Sequence, residues 1–383
     1  MYLYDFHRVP HNSEISVTSI SPIRDISYLG GGFILISFSI YKVSFMKRIY
    51  PERSYGKFIC CDGLNHEWFM PVVKTFVHSV TILFKSSAMK ENVKELVEKP
   101  TFTQRSEKPV ITWLGHSTFL IQVAGKNILT DPIFGSLSFI FRRLVPLVVK
   151  VQDLPCIDYV VISHNHFDHM DSQSLLQLKE KFPLMRVLVP MGDKEWFDRH
   201  LFAKVSEHMW WDEISDDQNS LKFTFLPANH WSQRTLFDKN RSLWGSWMLQ
   251  VQNFKLYFAG DTSWGSHFEQ IGQEFENIDV ALLPIAPGEP RSWMKSSHIN
   301  ATEAVQAFIK LKAKMLIPMH WGTYHLGFDD FSAPIYLLKK SWHEMREQLV
   351  GKQLKVMKFG ELVSDFGQKF IFELNKIVRQ SFI

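Results

Sequence analysis

Four side chains able to bind a cation fall within six residues: His164, His166, Asp168 and His169, in the segment Ser163–His169 (SHNHFDH). Residues two apart in an extended chain point the same way, so His164 and His166 can grip one cation together. A turn into a following helix would present Asp168 and His169 to a second cation beside the first. Three more donors stand in other loops: His230 after KFTFLPAN, Asp261 in FAGDT, and His320 in IPMHWG. An isolated histidine is usually a packed or surface residue. The six-residue cluster is far denser than that. Seven donors also exceed what one closed tetrahedral structural site uses.

The donors are imidazole and carboxylate only, a mixture that suits zinc before iron or manganese. The expected division gives His164, His166 and His230 to one metal and Asp168, His169 and His320 to the other. Asp261 would bridge them, because one carboxylate has two oxygens. Paired metals in such sites sit about 3.5–4 Å apart and clamp the attacking and leaving oxygens of a displacement. Asp261 then positions the metals, and Asp168 is placed to orient the nucleophile.

The elements that must position these loops are strands. Each loop follows a short apolar run. Asp158–Ser163 (DYVVIS) reads as a strand, followed by a helix over Ser172–Phe182. Arg186–Pro190, Leu221–Leu226, Lys255–Ala259, Val280–Ile285 and Met315–Met319 read as further strands. Val110–Val123 and Asn127–Asp131 read as two strands joined at Ala124–Lys126. Asn300 with Glu303 three residues on predicts a capped helix over Ala301–Lys312. Alternating strands and helices predict a layered α/β domain with ligands at strand ends.

The first hundred residues differ. Residues 1–63 show no clear periodicity. Phe33–Met46 (FILISFSIYKVSFM) is apolar but short of the roughly 20 residues that span a bilayer. Trp68–Phe84 carries apolar residues at helical spacing, and the helix could continue through the charged stretch Lys90–Lys99. It would pack on the main domain or touch a membrane or partner.

The chain has 383 residues, 45% of them hydrophobic and 21% charged, which supports a packed core. A net charge of +4 without a basic stripe argues against nucleic-acid binding. Three cysteines, Cys60, Cys61 and Cys156, are too few and too scattered for a disulfide framework, so a reducing, cytoplasmic compartment is expected.

The donor pattern resembles the His-X-His-X-Asp-His hallmark of the metallo-β-lactamase superfamily. The segments Trp113–Thr118 (WLGHST), Thr130–Phe134 (TDPIF), Ile162–His169 (ISHNHFDH), His230–Trp231, Leu243–Trp247 (LWGSW), Phe258–Thr262 (FAGDT), Glu289–Arg291 (EPR) and His320–Thr323 (HWGT) look like its N-acyl-phosphatidylethanolamine-hydrolysing phospholipase D branch. The resemblance covers residues 109 to 365. It implies an α/β fold of the αββα sandwich type, two Zn2+ per chain and cleavage of a phosphodiester on a lipid headgroup. It carries over the seven ligands and adds His298 as a residue near the substrate. His298 could equally be a hydrogen-bonding loop residue ahead of the Asn300 cap.

The expected organisation is an extension over 1–63, a helical segment over 64–108, a hydrolase domain over 109–365 and a tail over 366–383. Expected partners are a phospholipid or other phosphodiester, peripheral contact with a membrane and a homodimer, with no nucleic acid. Trp210, Trp211, Trp231, Trp244, Trp247, Trp264, Trp293 and Trp321 are explained mainly by core packing. Those near the ligands could line an acyl-chain groove. Within the superfamily a lactonase or a soluble phosphodiesterase remains an alternative. So does a di-iron redox protein, although a glutamate usually takes the place that His166 holds here. A non-enzymatic scaffold would have little reason to keep such a cluster.

Overall fold

The computed structural model of the protein describes residues 20–22, 41–43, 48–60, 93–138, 141–216 and 220–366. Two seven-stranded sheets dominate it. The first is built from β1 (Val110–Gly115), β2 (Thr118–Val123), β3 (Lys126–Thr130), β4 (Tyr159–Val161), β5 (Arg186–Pro190) and β6 (Lys204–His208). The second contains β7 (Glu213–Ser215), β8 (Lys222–Leu226), β9 (Ser246–Val251), β10 (Phe254–Phe258), β11 (Val280–Pro284), β12 (Met315–Met319) and β13 (Gln353–Leu354). The last strand, β14 (Leu362–Val363), returns to the first sheet and pairs antiparallel with β1. The strand orders are β6-β5-β4-β3-β2-β1-β14 and β7 to β13 in sequence.

Alternating side chains sort the first sheet's residues between two cores. On β2, Phe119, Ile121 and Val123 join a core shared with Phe223, Phe225 and Trp247 of the second sheet. Leu120 between them joins Leu175, Leu178 and Phe197 on the other face. These last three come from helices α1 (Ser172–Lys181) and α2 (Lys194–Arg199). The second sheet's outer face is covered by α3 (His267–Glu274) and α5 (Ala301–Leu311), with Phe268, Ala304 and Phe308 fully buried. Helix, sheet, sheet, helix is the αββα order expected. A four-residue helix α4 (Arg291–Met294) and the long α6 (Ala333–Glu344) complete the domain. Asn300 caps α5 with the full reciprocal capping box.

Within each sheet the loop-bearing strands run parallel. β3 through β6 pair parallel, as do β10 through β13. Their carboxyl ends therefore release successive loops along one edge, where α/β sheets place ligands.

Several expectations are corrected. The single strand expected over Val110–Val123 is two strands. Gly115 (φ +106°) and His116 (φ +53°) turn the chain between them. The helix suggested through Lys90–Lys99 does not cross the described part of that stretch. There the chain forms one 3-10 turn over Lys94–Leu96, then an extended bridge from Val97 to Phe359. Glu98 N–H donates to Phe359 O at 2.8 Å, and Phe359 N–H donates to Leu96 O at 2.8 Å. Pro100 follows, and a residue before proline is pushed out of the helical region. The expected helix over Trp68–Phe84 and most of the apolar run Phe33–Met46 lie outside the described residues, as does the tail beyond 366. No helix among the described residues is long and apolar enough to cross a membrane.

Residues 48–60, unpatterned in sequence, lie against the second sheet. Arg48 pairs with Glu274 at 2.6 Å. Trp211 Nε1 donates to Ile49 O at 2.7 Å. A small hairpin, Glu52–Ser54 with Lys57–Ile59, is tied down by Phe58 N–H donating to Asn240 O.

Candidate metal centre

The loops released at the sheet edges meet. After β4 come His164, His166, Asp168 and His169; after β8 comes His230; after β10 comes Asp261; after β12 comes His320. His164 Nε2 lies 2.9 Å from His166 Nδ1, and His230 Nε2 lies 3.2 Å from that same nitrogen. His169 Nε2 and His320 Nε2 lie 3.1 Å apart. Asp261 stands between the two groups. Its Oδ2 is 3.2 Å from His169 Nε2 and 3.9 Å from His230 Nε2, and its Oδ1 is 3.1 Å from His320 Nε2. Asp168 Oδ2 is 3.5 Å from His169 Nε2 and 3.6 Å from His320 Nε2. All seven expected donors are thus brought together: His164, His166 and His230 form one group suited to a metal ion, Asp168, His169 and His320 lie in a second, and Asp261 stands between them.

The hydrogen bonds behind these rings fix which nitrogen faces inward. His230 Nδ1 is 2.9 Å from Ser297 O, so Nδ1 carries the proton and Nε2 is left as a lone pair. His169 Nδ1 donates to Asp131 Oδ2 at 2.7 Å, which turns Nε2 toward the other donors. Ser163 Oγ donates to Asp131 Oδ2 at 2.5 Å, so it accepts from His164 Nδ1 at 2.9 Å. Outer partners of this kind orient metal-binding histidines. The ring nitrogens that face the cluster, His164 Nε2, His166 Nδ1 and His230 Nε2, lie against one another, and His298 Nδ1 is buried without a hydrogen-bond partner among the described residues. Buried polar atoms are normally paired. Imidazole nitrogens turned toward one another beside a buried carboxylate fit a bound cation.

Charge follows the same division. Burial, then neighbouring imidazoles, push His164 and His166 well below the usual histidine range, and burial lowers His230 to about 4. These rings are neutral donors. Burial also opposes charge on His169 and His320, but Asp261 and Asp168 outweigh it. His169 is held well above its usual value and His320 is raised to about 9. Burial would raise Asp168 and Asp261, yet the surrounding imidazoles, His169 foremost, hold both well below the carboxylate range. Positive charge is therefore favoured beside these two carboxylates.

His298 also reaches the cluster. Its Nδ1 is 3.6 Å from Asp261 Oδ2, and its ring lies 5.2 Å from that of His230. Burial lowers it to about 3. Two residues carried no role in the sequence, although the segments WLGHST and TDPIF contain them. His116 belongs to the second donor group, and Asp131 holds the rings from behind. Their signal was a polar residue set inside or just after an apolar strand, His116 following a glycine.

Most tryptophans are core. Trp210, Trp244 and Trp247 are fully buried. Trp231 differs, being half-buried with its ring 4.2 Å from that of His166.

A family model described as a β-lactamase superfamily domain matches residues 126–321, the stretch that contains every expected donor. The chain belongs to the metallo-β-lactamase superfamily. Within it, the chain is 34% identical over 264 residues to N-acyl-phosphatidylethanolamine-hydrolyzing phospholipase D 1 of Caenorhabditis elegans. That match covers 66% of this chain and 74% of the relative. A mitochondrial protein of the same description from Saccharomyces cerevisiae is 34% identical over 58% of this chain and 49% of its own length. The fold is shared with Igni18, a metallo hydrolase of Ignicoccus hospitalis, at a TM-score of 0.53 and 24% identity. That likeness covers 67% of this chain and 97% of the solved one. Superfamily fold and donor cluster together describe a metal-dependent hydrolase.

Proposed function

We propose that the protein is a dinuclear zinc phosphodiesterase that cleaves N-acyl-phosphatidylethanolamine in the phospholipase D sense. The observation that carries this is Asp261. Its Oδ2 lies within reach of both donor groups, 3.2 Å from His169 Nε2 and 3.9 Å from His230 Nε2, while Oδ1 meets His320, so this one carboxylate is placed to serve two cations. His164, His166 and His230 would hold one Zn2+, and Asp168, His169 and His320 the other. The lipid substrate is supported by the relatives in worm and yeast, which are described by that activity.

Divalent cations held by these residues would supply an acidified water and neutralise charge on a phosphoryl group. The chain supplies the rest. Asp168, half-buried beside His169 and His320, can accept a hydrogen bond from the attacking water and aim it. In that step the water oxygen would bond to phosphorus, the bond from phosphorus to the ethanolamine oxygen would break, and a proton released by the water would end on the leaving oxygen. His298 stands at the cluster's rim as a neutral imidazole able to hydrogen-bond a phosphoryl or leaving oxygen. Its position is fixed by His298 N–H donating to Met294 O at 2.7 Å and by Arg291 Nη1 donating to His298 O at 2.8 Å. The products are phosphatidic acid and an N-acylethanolamine.

The test is mass spectrometry of mixed phospholipids incubated with the zinc-loaded protein, with His164→Ala as control. Release of N-acylethanolamine by the wild type alone is expected. Intact N-acyl-phosphatidylethanolamine beside turnover of soluble esters or phosphodiesters would sink the lipid assignment.

A further inference from the structure

One loop joins the donor cluster to an exposed apolar tip. It begins at His230 and Trp231 and runs to residue 241. At its tip Leu236 is 74% exposed and Phe237 83%. The loop is braced from within. Asn240 N–H donates to Ser232 O at 2.8 Å, and Asp238 Oδ1 accepts from Arg234 N–H at 3.0 Å and Thr235 N–H at 2.8 Å. Its one acidic side chain is therefore spent on its own amides, and the two apolar side chains project without collapsing onto the domain.

Its surroundings are apolar and basic. On one side Phe167, in the donor segment itself, is 57% exposed with the Arg234 guanidinium 5.0 Å from its ring centre. On the other side the 52–59 hairpin, bonded to the loop through Phe58 and Asn240, carries Tyr55 fully exposed at its turn. Lys239 Nζ lies 5.6 Å from the Trp231 ring centre, and Lys57 comes close enough that burial and its charge together lower the Lys239 ammonium.

We propose that this face is the surface by which the protein sits on an anionic phospholipid bilayer. Leu236 and Phe237 would enter the boundary between headgroups and acyl chains, and Lys57 and Lys239 would take the phosphates. Apolar tips flanked by cations bind such interfaces through both buried area and surface charge. The position supports a lipid occupant over a protein one. Trp231, in the same loop, has its ring 4.2 Å from that of His166, so the loop that would meet the bilayer also borders the donors. This rests on the phospholipid reading, but it is tested separately.

The test is co-sedimentation of the full chain with phosphatidylcholine vesicles, with and without phosphatidylglycerol. The Leu236→Ser, Phe237→Ser double variant should lose roughly tenfold or more in vesicle partition, since it removes two buried apolar side chains. It should keep wild-type zinc content and wild-type hydrolysis of soluble bis(p-nitrophenyl) phosphate. A Lys57→Glu, Lys239→Glu variant should lose the gain that phosphatidylglycerol confers. A double variant that sediments with vesicles as the wild type does would overturn the proposal. A wild type that needs this loop to bind vesicles yet leaves N-acyl-phosphatidylethanolamine incorporated in them intact would uphold the docking face and sink the substrate assignment.

Discussion

His116 Nε2 lies 2.9 Å from Asp168 Oδ2, and its ring centre is 3.9 Å from that of His320. The backbone at His116 is held from three sides. Its N–H donates to Thr323 Oγ1 at 2.6 Å, and its carbonyl accepts from Trp113 Nε1 at 2.9 Å and from His320 N–H at 3.2 Å. Burial lowers its imidazole to about 3, with His320 adding to the effect, so the ring is neutral. A neutral ring beside Asp168 can donate one proton to that carboxylate or offer a lone pair to a cation. Either role steadies the second donor group.

His116→Ala should therefore weaken one metal and spare the other. Outer partners of metal ligands are typically worth roughly 10–100-fold in affinity. Elemental analysis after dialysis should find the cation at His164, His166 and His230 retained and its neighbour depleted. Full occupancy of both in the variant would reduce His116 to packing.

Asp131 reaches both groups. It receives His169 directly and His164 through the Ser163 hydroxyl. It is fully buried, and Ser163 N–H also donates to its Oδ1 at 2.7 Å. Asp131→Ala frees two donor rings to rotate. Affinity at both positions should fall, again by roughly 10–100-fold each. Competition against a coloured chelator measures this directly. Loss at one position only would show that the Ser163 link carries no orientation.

The contrast between these residues and the seven expected donors shows what the chain reveals unaided. His164 to His169, His230, Asp261 and His320 follow strands whose apolar runs are plain to see, and strand ends predict convergence. The apolar run Val110–Val123 hid its own interruption. Residues on both faces of β1 and β2 are buried, so the pattern stays apolar across the turn, and only the backbone at Gly115 and His116 breaks it. Asp131 read as the last residue of a strand, because nothing local marks a carboxylate that serves residues more than thirty positions away. The α5 helix was legible to its cap because Asn300 and Glu303 are sequence neighbours. The loop at 231–241 had no period to read.

Gly260 packs where a side chain cannot. Its φ is +59°, and an added Cβ would sit 2.5 Å from Ser163 Cβ and 2.7 Å from Ser163 Oγ. Gly260→Ala must push Ser163 away from Asp131 and His164 and strain the chain leading to Asp261. A cost of about 1–3 kcal/mol is expected from the backbone strain alone. Thermal melting should show it. Zinc affinity should fall as well, which separates this change from an ordinary surface destabilisation. A variant with wild-type melting and metal content would mean that the loop has slack the packing does not reveal.

Asp193 gives a pH signature of known sign. It is buried, and Asn165 Nδ2, in the donor loop, donates to its Oδ1 at 2.9 Å. Burial raises its carboxyl to about 7, against the opposing pull of Ser242, Asn165 and Arg234. An unfolded aspartate titrates near 4. Between those values the folded state holds a proton that the unfolded state has released, so this group favours folding at low pH. Its contribution is fully present below the unfolded pKa and is lost as pH rises through the folded one. Asp193→Asn keeps the shape of the neutral acid and cannot ionise. Compared with wild type by urea unfolding, the variant should gain relative stability from pH 5 to pH 8, with most of the change complete by about 7. Other titrating groups are common to both proteins and cancel in the difference. A stability difference that stays flat over this range would show that Asp193 is ionised in the folded protein, with Arg234 and the Asn165 amide sufficient to hold its charge.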